Sequence, residues 1–414
     1  YAVLRRWGVR ESLATLAALP VLFSPSEFLL EQLIMADFLA LFLLIAALAV
    51  LLLRQEPSVW RIVTAGLLMG ASAVVRPTAL FLIVLMGLYL VLRRAGWRRV
   101  CAVLAGGALP VVLYMSWFAS VNGDFNITNS SGLFLWSRTM SFANCSIIKP
   151  PANLQALCPN LQPGIPNVAP AQREQPKLYL WNHSAWLWKS TRQPGIVPDV
   201  SAFTTANNAR AMKFAERAIE AQPLAYVAVV GKETAESFTQ PNTFVFPGES
   251  GRISGLGPLN RKYALAAVKA YTGSTASVRP YLGAHFGERV VEPFAHIIRG
   301  YQKVIYLPGR LFALILAVGL GGILIPRRRL AASALLLTSA VITVVLPIAE
   351  HEYTYRYVIP AVPLACMAAA LAFRDRSQET PDHQGAPGAL AAGAPAVPAP
   401  AAPGQPAGTE PAGT

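Results

Sequence analysis

Residues 34–53, IMADFLALFLLIAALAVLLL, carry one charge in twenty positions. A helix needs about 20 mostly apolar residues to cross the hydrocarbon core of a bilayer. Runs of this kind recur. Residues 62–92 are too long for one upright helix. Arg76-Pro77 divides them into IVTAGLLMGASAVV and TALFLIVLMGLYLVL. Proline lacks an N–H and disfavours helix at the residue before it, so two helices are expected to meet there. Residues 100–119, 307–325, 330–348 and 357–373 are further candidates. The run 12–23 is shorter, holds Pro20, and either spans with its flanks or re-enters the membrane. The expected fold is an all-α polytopic membrane protein of about eight hydrophobic segments, in two groups. A mixed, mainly helical extracytoplasmic insert separates them.

Composition enters through the charges. They make up 14% of the chain, against about 25% in a soluble domain, yet the net charge is +14. Such an excess fits either a nucleic-acid surface or the cytoplasmic loops of a membrane protein. The positions decide. Arg5, Arg6, Arg10, Arg54, Arg61, Arg93, Arg94, Arg98, Arg99, Arg327, Arg328, Arg329, Arg374 and Arg376 all fall on one side if the segments alternate. The opposite short loops hold Arg76 and Arg356. Basic residues stay cytoplasmic, so no nucleic-acid partner is expected. The protein reads as a multi-pass cell-membrane protein with both termini cytoplasmic and residues 120–305 outside. The expected divisions are 1–119 (membrane helices), 120–305 (extracytoplasmic domain), 306–373 (membrane helices) and 374–414, an Ala/Pro-rich cytoplasmic tail. That tail cannot bury a core, and disorder is expected of it.

Within 120–305 a Pro-rich stretch (149–176) reads as loop. Helical periodicity follows over 204–220, from Pro223 to about 238, over 259–271 and over 281–305. These helices either lie on the outer leaflet or pack into a core of the insert. Cys145 and Cys158 are the two cysteines of this region. In an oxidising compartment they form a disulfide or stand as two free thiols.

The chain has no Walker P-loop, GxGxxG, GxSxG, HExxH or CxxC. The better leads are charges at membrane depth or its edge, which are costly to place there. Glu31 and Asp37 flank the start of segment 34–53 and are weak candidates for a catalytic acid or base. Arg76 and Arg356 suit a lipid phosphate, because guanidinium pairs well with phosphate. Glu350, His351 and Glu352 crowd the last outer loop. Acidic residues there can serve as general base or metal ligands. His285, Glu288, Glu292 and His296 lie near one helical face, but Pro293 disturbs that helix and a solvated face is expected, with no metal.

The segments LLEQLIMADFLALFLLIAALAVLLL and GLLMGASAVVRPTALFLIVLMGLYLVL resemble the membrane core of GT-C type polyprenyl-phosphate-dependent glycosyltransferases. So does the ending YRYVIPAVPLACMAAALAF. The stretches NITNSSGLFLWSRTMSFANCSIIKPPANLQALCP and KFAERAIEAQPLAYV look like the outer domain of actinobacterial phospholipid carrier-dependent members. The resemblance implies an enzyme moving a sugar from a polyprenyl-phosphate donor to an extracytoplasmic acceptor. It leaves the acceptor and any cofactor open, a divalent cation included. The family's catalytic Asp lies in its first external loop, after the first membrane helix. The first segment here leads instead to SPSEFLLEQL, which matches a later external loop of the family. The acidic loop is therefore expected to precede Tyr1. The chain reads as an N-terminally truncated fragment, with the catalytic residues unknown. A non-enzymatic transporter or lipid-binding scaffold is the rival reading, which a large outer insert fits less well.

Overall fold

The computed structural model describes residues 1–32, 35–162, 167–173, 176–181, 203–239, 293–294, 297, 300–301, 304–324 and 331–375. Among them there are helices and turns and no strand. The N-terminal group comprises α1 (Ala2–Arg6), α2 (Glu11–Leu22), α3 (Pro25–Gln32), α4 (Ala36–Leu52), α5 (Val59–Val75), α6 (Leu80–Leu92) and α7 (Trp97–Asn122). Next come α8 (Ser131–Thr139), α9 (Cys145–Ile148), α10 (Pro176–Trp181), α11 (Thr205–Ala221) and α12 (Pro223–Thr239). The last group is α13 (Gly309–Leu324), α14 (Ala331–Glu350) and α15 (Ala361–Leu371).

Among the described residues, helices α7 and α14 are long and apolar enough to cross a membrane, and six shorter apolar helices accompany them. Leu104, Leu109, Leu113, Trp117 and Val121 of α7 are exposed, an apolar surface of the kind that lipid covers. The inner face of α7 meets α5 at close range. A Cβ on Gly66 would lie 2.6 Å from the Val103 carbonyl oxygen, and one on Gly70 would run into Gly107 O. Small residues four apart let the two backbones approach where dispersion, not hydrophobic exclusion, drives association. Helix α4 is tied to α5 by Ser72, whose Oγ donates to the Ala40 carbonyl at 3.0 Å.

The proline break takes a definite form. Helix α5 stops at Val75, Arg76 is extended (φ −139°, ψ 112°), and a 3-10 turn over Pro77–Ala79 leads into α6. Proline disfavours helix at Arg76, and this sets the arginine apart from both helices.

One end of the bundle gathers basic segments. Trp7 Nε1 donates to Leu52 O at 2.7 Å, Arg93 Nη2 to Gln55 O at 2.9 Å, and Asp375 N to Gly8 O at 2.8 Å. Residues 7–8, 52–55, 93 and 375 therefore meet. Asp37 and Arg76, at the far ends of α4 and α5, lie at the other end.

A second core sits there. Leu133, Trp136 and Met140 pack with Leu154, Leu157, Tyr179, Phe214, Ala215 and Ala218. Of the two expectations for the amphipathic helices, core packing holds for α11: its apolar stripe faces α8. Gly132 makes that possible. Its N–H donates to Asn208 Oδ1 at 2.7 Å, and a Cβ there would strike the Asn208 carbonyl. Cys145 and Cys158 are disulfide-bonded, with Cα atoms 6.1 Å apart. In the chain-entropy account a loop this short contributes about 3 kcal/mol. The Pro-rich stretch is more ordered than a plain loop, with 3-10 turns at Ala152–Leu157, Pro159–Leu161 and Pro170–Gln172. The 259–271 helix and most of 281–305 lie outside the described residues.

Candidate functional site

Asp37 sits in the first turn of α4, where the helix macrodipole favours a carboxylate. Its Oδ1 is 2.7 Å from Arg76 Nη1, and the two side chains are 7% and 21% exposed. An acid this buried beside a guanidinium is a charge partner first. Arg76 also lies over the Tyr357 ring, 5.0 Å from its centroid. Arg356 approaches the same ring at 5.2 Å, with Nη2 3.3 Å from the phenol oxygen. Tyr357 is buried in the 3-10 turn Tyr355–Tyr357. Two guanidiniums thus converge on one aromatic ring, each held by a cation–π contact of about 0.5–2 kcal/mol.

They line a cavity of about 350 Å³. Glu350, His351, Thr128 and Ser130 share its wall, so it draws on α5, α14 and the segment before α8. The donors suit a phosphate: two guanidiniums and several hydroxyls. They do not suit a divalent cation, since Asp37 is already paired with Arg76 and a guanidinium stands beside it. Among the described residues no three His, Cys, Asp or Glu side chains gather as a metal site. His285, Glu288 and Glu292, together with His296, lie outside the described residues.

The position of His351 is set by hydrogen bonds. Ser137 Oγ donates its single proton to Phe134 O at 2.6 Å. His351 Nδ1, 2.9 Å from the same Oγ, must then be the donor in that contact, which leaves Nε2 as an acceptor. Phe134 meets the imidazole edge-on at 4.8 Å. Burial, then the charges of Arg138, Arg356 and Lys177, push the His351 pKa down to about 3. The ring is neutral at physiological pH.

The loop carrying His351 is clamped from behind by Arg138, whose side chain is fully buried. Arg138 Nη1 and Nη2 donate to Glu233 Oε2 and Oε1 at 2.8 and 2.7 Å. Nη1 also donates to His351 O at 2.9 Å, and Glu233 Oε2 accepts from Tyr353 N at 2.8 Å. A bidentate pair of this kind fixes orientation as well as energy. It joins α8 and α12 to the loop after α14.

The sequence candidates therefore separate. Asp37, Arg76, Glu350, His351 and Arg356 come together. Glu352 points elsewhere: it is buried and accepts from Lys177 N at 3.2 Å, at the start of α10. Burial raises its pKa, and that hydrogen bond works against the shift. Glu31 is exposed on α3, while Glu27, one turn earlier, is buried. Tyr1 is exposed and is no part of the cavity wall. Its carbonyl accepts from Arg5 N at 3.0 Å, which places it at the start of α1 among the basic segments. Asp37 pairs with Arg76, and Glu350 shares the cavity wall with both guanidiniums. Sequence reasoning missed Ser137, Arg138, Glu233 and Glu27. Arg138 and Glu233 stand 95 positions apart, and no local pattern marks either.

No curated protein and no solved structure matches the chain. Residues 1–151 match the family model for glycosyltransferase family 87. That match spans just over a third of the chain. It includes Asp37, Arg76, Ser137 and Arg138 and excludes Glu233, Glu350, His351 and Arg356. With the apolar helices, this similarity points to a membrane glycosyltransferase.

Proposed function

We propose that this protein transfers a sugar from a polyprenyl-phosphate donor to an acceptor outside the cytoplasm. In this reading residues 120–305 lie outside, both termini lie inside, and 374–414 is a cytoplasmic tail. The gathering of basic segments at one end of the bundle supports that orientation. The cavity then opens at the outer end.

The observation that carries the reading is the convergence of Arg76 and Arg356 on Tyr357. In such a transfer the bond between the sugar C1 and the phosphate oxygen breaks, and negative charge grows on the departing polyprenyl phosphate. Fixed guanidiniums stabilise that charge without reorganising. Asp37 holds Arg76 in place. The acceptor hydroxyl must lose its proton as the new C1–O bond forms. His351, at a pKa of about 3, is too weak a base for this. Its Nε2 instead accepts a hydrogen bond from a sugar hydroxyl. Glu350 is the carboxylate on the cavity wall placed to take the proton.

The test is transfer of radiolabelled sugar from a polyprenyl-phospho-sugar by membranes carrying the protein. Arg356→Gln should lower transfer by about 10²-fold, the usual cost of one transition-state donor. Glu350→Gln should lower it at least as far. Wild-type rates in both variants would remove this cavity from the reaction.

A further inference from the structure

A second cavity, of about 300 Å³, lies on the other side of the Tyr355–Tyr357 turn. Leu19, Phe23, Leu311, Ile359 and Val362 line it, together with Tyr355. Among the described residues its lining holds one ionisable acid, Glu27, and no lysine, arginine or histidine. Glu27 is 7% exposed. Among the described residues nothing hydrogen-bonds its carboxyl, although its backbone N–H bonds Ser24 Oγ at 3.3 Å. Every other buried acid described has a partner: Asp37 has Arg76, and Glu352 has Lys177 N. A buried polar group without a partner is destabilising, more so if charged. Burial, with the Glu31 charge beside it, pushes the Glu27 pKa up to about 8. Both Glu27 and Glu31 favour a positive charge at this spot.

We propose that this cavity binds a long-chain amphiphile with a primary-amine head, drawn from the membrane. The ammonium pairs with Glu27, and the chain lies along Leu19, Phe23, Leu311 and Val362. Charge complementarity selects the head: a bound ammonium draws the proton off Glu27 and pairs with the carboxylate, whereas a phosphate meets no cation among the described lining residues. The apolar lining selects the chain, because each CH₂ buried there leaves water. This inference is independent of the glycosyl-transfer reading, because the two cavities share no lining residue.

The probes are two alkyl diazirines of equal length, one ending in an amine and one in an alcohol. Each is crosslinked to the full chain in phosphatidylcholine nanodiscs, and adducts are mapped by mass spectrometry. The amine probe should label peptides within 19–27 and 355–362 about tenfold more efficiently than the alcohol. Glu27→Gln keeps the shape and removes the charge, and should bring the two probes level. Leu19→Trp, which fills the cavity, should abolish labelling by both. Equal labelling in the wild type would overturn the proposal. So would an amine preference that survives Glu27→Gln, or labelling that survives Leu19→Trp.

Discussion

The two ends of the helix bundle use arginine differently. At the basic end Arg5 Nη1 donates to Val9 O at 2.9 Å and Arg93 Nη2 to Gln55 O. Arg93 also lies over Trp7, 5.9 Å from the ring centroid. These guanidiniums spend their hydrogen bonds on loop carbonyls. At the other end Arg138 is fully buried against Glu233, and Arg76 is largely buried against Asp37. A guanidinium taken out of water demands a carboxylate, because an uncompensated buried charge costs several kcal/mol. An arginine at the water interface demands little. In the proposed orientation the basic end marks the cytoplasmic face, whereas the opposite end gathers buried ion pairs around a cavity.

The comparison breaks most readily at Arg138. Arg138→Ala leaves Glu233 half-buried without its guanidinium partner and frees the His351 carbonyl. It should destabilise the protein by about 3–5 kcal/mol. Arg138→Met combined with Glu233→Leu should recover most of that loss. Unfolding followed in detergent for the wild type and the two variants checks both statements. If the double variant is no better than Arg138→Ala, the clamp is not the unit described here.

A smaller effect concerns pH. His351 is neutral in the fold down to about pH 3, whereas an unfolded histidine takes its proton near 6.5. Between these values the unfolded state binds more protons, so stability falls as pH drops from about 6.5 towards 3. Each pH unit in that window is worth up to about tenfold in the unfolding equilibrium. His351→Gln should flatten that slope. Glu27 acts in the opposite direction. Its raised pKa of about 8 makes its contribution fullest below about pH 4.5 and lost as pH rises through 8. Stability profiles of the two single variants should therefore bend in opposite senses.

The smallest effect belongs to the basic end. Arg93→Gln should change stability by less than about 0.5 kcal/mol, since an exposed side chain is replaced away from a buried feature. A loss as large as that of Arg138→Ala would erase the distinction between the ends.

Much of the fold was legible because its signals are local. The Arg76-Pro77 break follows from proline sterics, and α11 and α12 from 3.6-residue periodicity. The Cys145–Cys158 bond joins the two cysteines that the insert contains. The site was legible only in its parts. Asp37, Arg76, Glu350, His351 and Arg356 stood out as charges at unfavourable depth. That Asp37 serves Arg76 was not visible, because the pairing depends on how α4 and α5 pack. Arg138 and Glu233 gave no signal, since an arginine in a short amphipathic helix looks like any solvated one. Glu31 drew attention that belonged to Glu27, because an eight-residue helix is too short for periodicity to say which turn faces inward.

The proposed function stands on the cavity between Arg76 and Arg356 holding a lipid-linked phosphate. The direct measurement is binding of polyprenyl phosphate, against polyprenol of the same chain length, to the purified protein in nanodiscs. The phosphate should bind at least tenfold more tightly than the alcohol, and Arg356→Gln should bring the two affinities together. Equal affinities in the wild type, or a phosphate preference untouched by Arg356→Gln, would contradict it.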